Sequence, residues 1–210
     1  MKMWIMLVAT VWAASAQDLP DFSRPVPAVP QAPVRWVEEY SYPPVAGSVE
    51  RRNFRVTVEH TKNATRVVEN LGNGPAVEHW YFQGFEIRKI PEVGEFVVVS
   101  PAEALESRSA DYARVFFPRL TWIGEKTFKG KEKKDGKETF VFEAPYGTAS
   151  TQRAYLSAET LLPVAFDSPS FTIRYSFSPA EPVELPADFK EALEKYRSQV
   201  RAALKPVGGN

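Results

Sequence analysis

The chain has 210 residues, 44% of them hydrophobic and 13% aromatic, and its 26 basic and 26 acidic side chains give a formal net charge of zero. A neutral chain has no basic excess with which to release counterions from a nucleic acid, so nucleic-acid binding is not expected. Neutrality also argues against electrostatic docking on anionic lipid. Cysteine is absent, which excludes disulfides, thiolate catalysis and cysteine-based zinc sites.

Residues 1–16 have the layout of a secretory signal peptide, because Lys2 precedes a long apolar run and small residues close it. We expect cleavage between Ala16 and Gln17. A membrane anchor needs about 20 apolar residues, so no integral membrane segment is expected in the mature chain. Export without cysteine is typical of a bacterial envelope. We therefore expect a periplasmic protein, with secretion as the alternative.

Residues 17–44 are rich in proline, with seven prolines between positions 20 and 44. Proline removes backbone donors and favours extended polyproline conformations. The stretch is predicted to be an N-terminal arm that ends as Trp36 and Tyr40 begin to pack. It is either a spacer or a docking motif for a partner.

Apolar and polar residues alternate along most of the chain from residue 53 to residue 178, which is the period of a half-buried strand. The connections are short, so antiparallel pairing is expected. Residues 129–137 have mixed charges and are interpreted as a solvated hairpin tip, with contact to phosphate or to an acidic partner as the alternative. The predicted strands are 53–59, 65–71, 77–83, 85–90, 95–100, 121–129, 138–144, 153–157, 161–167 and 170–178.

Two helices are predicted where this period changes. Ser100 and Glu103 have the spacing of a capping box, and the apolar stripe that follows them ends at Pro118. Asp188 and Glu191 begin the second helix with the same spacing. No internal repeat suggests a solenoid or a propeller.

These elements predict an α+β, mainly β protein: a curved antiparallel sheet or incomplete β-barrel of about nine to ten strands. The internal helix and the C-terminal helix are expected to pack on its concave face. The domain is predicted to span residues 45–205, and residues 206–210 are predicted to form a frayed tail. A curved sheet with helices across its mouth can enclose an apolar cavity.

Residues 158–164, with the sequence AETLLPV, have the sequence pattern of a turn that leads into a strand. Residues 185–189, LPADF, lead into the last helix. This order resembles the lipoprotein-carrier superfamily of bacterial envelopes, which includes a periplasmic lipoprotein chaperone, its outer-membrane receptor and related stress-sensor domains. The resemblance implies an incomplete antiparallel barrel, lidded by helices, whose apolar interior holds acyl chains. The lipid-modified cysteine of the receptor is missing from this chain.

The aromatic strand residues are the main candidate site. They are predicted to line an apolar cavity that binds a lipid, an acyl chain or an acylated protein, whereas a filled core is the ordinary alternative. Each buried methylene of such a ligand contributes roughly 0.8 kcal/mol. The candidate lining residues are Trp80, Phe82, Phe96, Phe116, Phe117, Trp122, Phe140, Phe142, Phe171, Ile173 and Tyr175.

No catalytic signature is present, since the chain lacks a nucleophile elbow, a His-Glu-x-x-His helix and a Walker loop. We therefore expect a non-enzymatic protein without cofactor or metal. His60 and His79 are interpreted as ordinary strand or turn residues, because neighbouring residues on a strand point to opposite faces. A hydrolase that uses Glu38 and Glu39 is the lowest-ranked alternative.

Two function classes stay open beside that one. The leading hypothesis is an exported carrier or chaperone that binds a lipid or an acylated protein in an apolar cavity. The alternative is an envelope sensor or scaffold module, with a filled core, whose proline-rich arm and exposed edge strand recruit a protein partner.

Overall fold

The computed structural model describes residues 19–44, 53–72, 74–100 and 116–204. Within them the chain forms one antiparallel sheet of eleven strands in the order β6-β5-β4-β3-β2-β1-β11-β10-β9-β8-β7. The first and last strands of the sequence therefore pair in its centre, while β6 and β7 are its edges. The strands are β1 (Val34–Ser41), β2 (Asn53–His60), β3 (Ala64–Asn70), β4 (Val77–Phe82), β5 (Phe85–Lys89), β6 (Phe96–Val99), β7 (Phe128–Lys134), β8 (Lys137–Tyr146), β9 (Ser150–Ser157), β10 (Pro163–Asp167) and β11 (Thr172–Pro179).

The prediction of nine or ten strands is too low, because it omits β1. Prolines dominate the residues just before β1 and give the whole stretch the composition of an arm. Within β1, moreover, Glu38 occupies a buried position beside exposed Glu39, so two adjacent acids interrupt the apolar alternation. The strand nevertheless pairs along its full length with β2 and β11.

Strand β7 also begins later than predicted. Instead of a strand over 121–129, short 3-10 turns occupy Pro118–Leu120 and Glu125–Thr127, and β7 starts at Phe128. The charged run is therefore mostly strand, and the turn is confined to Asp135 and Gly136, both with positive φ.

The predicted C-terminal helix is confirmed as α1 (Ala187–Ala203). The predicted internal helix falls on residues 101–115, which lie outside the described residues. Phe116, the last residue of its apolar stripe, lies in a bend just before the 3-10 turn.

The strand register defines two faces of the sheet. We call the face that carries Trp36, Glu38 and Tyr40 of β1 the core face, and the opposite face the helix face. Fifteen described residues are buried together on the core face, and we call them the core-face cluster. They come from strands β8 to β11, from β1 to β3, from the turn before β11 and from the loop before β7: Trp36, Tyr40, Val56, Val58, Val67, Phe117, Leu120, Phe140, Phe142, Ala154, Leu156, Phe166, Phe171, Ile173 and Tyr175.

The C-terminal helix packs on the opposite face from this cluster, so it does not cover the face that carries most of the predicted lining residues. Phe189 of α1 lies 6.1 Å from Trp80 and 5.0 Å from Phe96 between ring centroids. Strand β4 has aromatic residues in both phases of its alternation, so its period alone did not indicate which face the helix would cover. This helix-face cluster comprises buried Ala64, Trp80, Ile87, Leu185, Phe189 and Leu193.

Candidate functional site

A cleft of about 300 Å³ opens between the proline-rich segment 25–29 and the loop 116–121. Phe117 connects it to the core-face cluster, because its ring lies 5.7 Å from Trp36 and 5.8 Å from Tyr175 between centroids. The cleft therefore sits directly on the aromatic core. Its lining residues are Pro25, Val26, Pro27, Ala28, Val29, Phe116, Phe117, Leu120 and Thr121.

Prolines shape one wall of the cleft. Pro25 and Pro27 have a restricted φ and no backbone N–H, so the segment lies along the core without joining the sheet. The N–H of Ala28 donates a hydrogen bond to the carbonyl of Leu161 at 3.1 Å. This bond ties the wall to the turn between β9 and β10.

The opposite wall is the 3-10 turn Pro118–Leu120 with its flanking residues. The N–H of Leu120 donates to the carbonyl of Phe117 at 2.9 Å, and the indole N–H of Trp122 donates to the carbonyl of Arg119 at 2.9 Å. The Leu120 side chain is fully buried. Hydrogen bonds therefore hold both walls, and the second is also held by the burial of Leu120.

The side chains of the lining are almost all apolar. Eight of the nine residues are hydrophobic or proline, and the ninth, Thr121, donates its hydroxyl to the carbonyl of Pro118 at 3.4 Å. Small-molecule sites range from about 300 to 1,000 Å³, so this cleft lies at the lower end. With no charged side chain among the lining residues that the structure describes, the cleft suits an apolar chain.

The eleven predicted lining residues divide between the two faces of the sheet. Phe116 and Phe117 line the cleft. Trp122 packs against the core-face cluster. Five others belong to that cluster: Phe140, Phe142, Phe171, Ile173 and Tyr175. Trp80, Phe82 and Phe96 lie instead in or against the helix-face cluster. The structure thus brings eight of the eleven together and separates three.

Sequence reasoning did not assign residues 25–29 to the site. Their composition, PVPAV, is wholly apolar, and that feature could have indicated a hydrophobic wall. Val29 keeps 48% of its surface exposed, which makes it one of the more exposed large hydrophobic residues in the described part of the chain.

Glu38 lies buried on the core face, among aromatic rings. Its carboxylate accepts hydrogen bonds from the Trp36 indole at 3.2 Å and from the Tyr40 hydroxyl at 2.8 Å. Burial raises the pKa of Glu38, and these two hydrogen bonds oppose the shift. Glu39 is exposed on the helix face. The two adjacent carboxylates therefore diverge, and they do not form the convergent pair that a glycosidase needs.

The two histidines differ in their surroundings. His60 makes a 2.8 Å hydrogen bond to the Thr65 hydroxyl, and burial lowers the pKa of His60. His79 lies on the core face of β4, with Nδ1 3.3 Å from Glu86 Oε1 and Nε2 4.0 Å from Glu69 Oε2. Its carboxylate neighbours thus come from adjacent strands. No group of three metal-ligating side chains occurs among the described residues.

The charged run 129–137 makes ion pairs across the sheet. Lys134 and Arg174 each approach a different oxygen of Asp167 at 2.7 Å, and Arg174 also lies 3.3 Å from Asp135. Burial alone would raise the pKa of Asp167, but the hydrogen bonds from these two cations hold that pKa below its ordinary value. Lys134 and Asp135 therefore both form ion pairs with other residues of the sheet.

No protein-family profile and no curated protein matches this chain. Among the helices of the described residues, none is long and apolar enough to cross a membrane.

Solved structures of bacterial proteins do resemble it. A chain in the complex structure of Pseudomonas aeruginosa MucA/MucB is 12% identical with a TM-score of 0.38, over 72% of this chain and 54% of that one. The Mycobacterium tuberculosis lipoprotein LppX is 15% identical with a TM-score of 0.38, over 72% and 89%. The LolA superfamily protein NE2245 from Nitrosomonas europaea is 11% identical with a TM-score of 0.35, over 76% and 90%.

This chain therefore spans about half the length of the MucA/MucB chain that it matches. Among the solved structures that this chain is similar to, one is described as a LolA superfamily protein and another as a putative outer membrane lipoprotein-sorting protein domain.

Proposed function

We propose that this protein binds an acyl chain, carried by a lipid or by an acylated protein, in the cleft between segment 25–29 and loop 116–121. The observation that carries the proposal is the lining itself: among its nine described residues, eight are apolar and none is charged. Such a surface recognises hydrocarbon by burial alone.

The magnitude of that burial is sufficient for reversible binding. Each methylene removed from water contributes roughly 0.8 kcal/mol, so about ten methylenes contribute about 8 kcal/mol before the cost of association is subtracted. The exposed side chain of Val29 at the cleft also gains buried area. A polar headgroup or a protein moiety would remain in water outside the cleft.

The proposed role is that of a non-enzymatic carrier or chaperone in the bacterial periplasm. Export follows from the predicted signal peptide at residues 1–16, and an apolar chain in the periplasm needs protection from water. The divergence of Glu38 and Glu39 argues against the hydrolase alternative.

The test is uptake of a dansyl-labelled undecanoic acid by the purified, delipidated mature chain, with native mass spectrometry of the protein before delipidation. We expect saturable dansyl fluorescence and co-purified acyl mass. Thr121→Trp places a large ring in the cleft at an exposed position, and we expect it to weaken binding at least about tenfold. Thr121→Ala is the matched control and should bind as the wild type does.

Two results would overturn the proposal. One is a clean apo mass together with no dansyl uptake by the wild type. The other is equal affinity of Thr121→Trp and Thr121→Ala, when circular dichroism shows both variants folded, because the ligand would then bind elsewhere.

A further inference from the structure

The two edges of the sheet are built differently. Strand β7, with the sequence FKGKEKK, carries four lysines, and its register shifts between Phe128 and Gly130. Charged side chains and irregular pairing are devices that stop an edge from pairing with another chain. Strand β6, with the sequence FVVV, has no charge and no proline, and its register with β5 is regular.

The backbone pairing shows which groups β6 presents. The N–H of Ile90 donates to the carbonyl of Glu95 at 2.8 Å, and the carbonyl of Ile90 accepts from the N–H of Gly94 at 2.8 Å, so Ile90 and Glu95 face each other at a hydrogen-bonded position of the ladder. Such pairs alternate along an antiparallel ladder, so Val97 and Val99 also bond towards β5. The N–H and carbonyl groups of Phe96 and Val98 therefore point away from the sheet, where its described part ends.

A cleft of about 570 Å³ lies beside this edge, between β6 and α1. Phe96 and Val98 line it, because their side chains project to the helix face. A strand added to β6 would place every second side chain over this cleft. An open edge next to a cleft is the arrangement used in recognition by strand addition, where the backbone supplies affinity and the pocket supplies specificity.

The charges of the cleft indicate the chemistry of its occupant. Asp188 is paired with Lys89 at 3.0 Å. Glu95 and Glu191 are exposed and form no ion pair within the described part of the chain. Lys195 is the one basic residue among the described lining residues, so this part of the cleft is acidic on balance. It suits basic side chains above an apolar floor.

We infer that β6 is a docking edge for an extended segment of a partner protein, with basic and β-branched side chains directed at α1. A second copy of this chain fits less well, because edge-to-edge pairing of two β6 strands would place two clefts of the same acidic balance side by side. This surface is separate from the acyl-chain cleft, so the two proposals can fail independently.

The probe is a fluorescein-labelled peptide, Thr-Lys-Thr-Val-Thr-Lys-Thr, titrated with the mature chain by fluorescence anisotropy. Its lysines and valine share one face of a strand. We expect saturable binding below about 1 mM, weakened at least about tenfold when both lysines are replaced by glutamate. Val98→Pro removes an outward N–H and should abolish binding, whereas Val98→Thr keeps the N–H and should bind.

A second arm needs no protein variant. N-methylation of alternate peptide residues in one phase should block binding, and the same modification in the other phase should not, because only one phase faces β6.

Several results would overturn the inference. They are absence of binding at about 1 mM, equal binding by folded Val98→Pro and Val98→Thr, and equal effects of the two N-methyl phases. A wild-type dimer in light scattering that becomes a monomer in Val98→Pro, without peptide binding, would identify a second copy as the occupant and overturn it as well.

Discussion

The two larger hydrophobic clusters lie on opposite faces of one sheet and are built in different ways. The core-face cluster joins seven strands through fifteen buried residues that come from both halves of the sequence. The helix-face cluster has six buried residues, and half of them belong to α1 or to the segment just before it. The first is held by the sheet itself, whereas the second depends on docking of one terminal helix.

This difference predicts unequal stability. Strands β4 to β6 rely on α1 for the burial of Trp80 and Ile87, so loss of the helix would expose them. Strands β8 to β11 bury the same kind of side chain against other strands and against Phe22 of the N-terminal segment. We expect the β4–β6 side to open first.

The largest effect is expected in the core-face cluster. Phe142 is fully buried and lies 5.6 Å from Phe128 and 6.3 Å from Phe22 between ring centroids. Phe142→Ala should lower the free energy of unfolding by about 3–5 kcal/mol, measured by urea denaturation. Phe142→Leu is the control and should cost clearly less. A loss below about 1 kcal/mol would show that this cluster is not the main source of stability.

A smaller and more local effect is expected in α1. Phe189→Ala should cost about 2–3 kcal/mol and should raise amide hydrogen exchange in β4 to β6 more than in β8 to β11. Exposed Lys190→Ala is the control from the same turn of the helix. Uniformly faster exchange in all strands would contradict the prediction that the β4–β6 side opens before the rest of the sheet.

The smallest effect concerns the buried acid of the core-face cluster. Burial raises the pKa of Glu38 above its ordinary value of 4.5. When the pH exceeds that ordinary pKa, the folded chain binds more protons than the unfolded chain. The free energy of unfolding therefore falls as the pH rises through the shifted pKa. Glu38→Gln removes this titration and should increase the free energy of unfolding at pH 7.

Urea denaturation at several pH values checks this prediction. Exposed Glu39→Gln should leave the pH dependence of the wild type unchanged. If Glu38→Gln is less stable than the wild type at pH 7, the charged carboxylate is a net stabilising group and the sign assigned here is wrong.

The strands on which the sequence was most informative are those with one apolar and one polar face. Strand β11 alternates Ile173, Tyr175 and Phe177 with polar residues, and it was predicted almost to its bounds. Strand β1 was missed because its buried face includes Glu38. The burial of that carboxylate depends on hydrogen bonds from Trp36 and Tyr40, which local hydrophobicity does not reveal.

The candidate site was predicted in part for a similar reason. Phe116 and Phe117 were recognised as large apolar residues, but the wall that faces them comes from residues 25–29, some 90 positions earlier in the chain. Periodicity describes neighbours along one element and does not report which distant segment covers it. Aromatic residues on β4 were therefore assigned to the same cavity as those on β11, although they face the other way.

The amino-acid sequence by itself determined that this is a neutral, cysteine-free, mainly β chain with antiparallel pairing and a C-terminal helix, because these properties follow from composition, local period and short connections. Only the tertiary structure decided that β1 closes the sheet at its centre, that α1 covers the opposite face from the aromatic core, and that a proline-rich segment forms one wall of the cleft. Those outcomes depend on contacts between residues far apart in the sequence, and such contacts are set by packing of the whole chain.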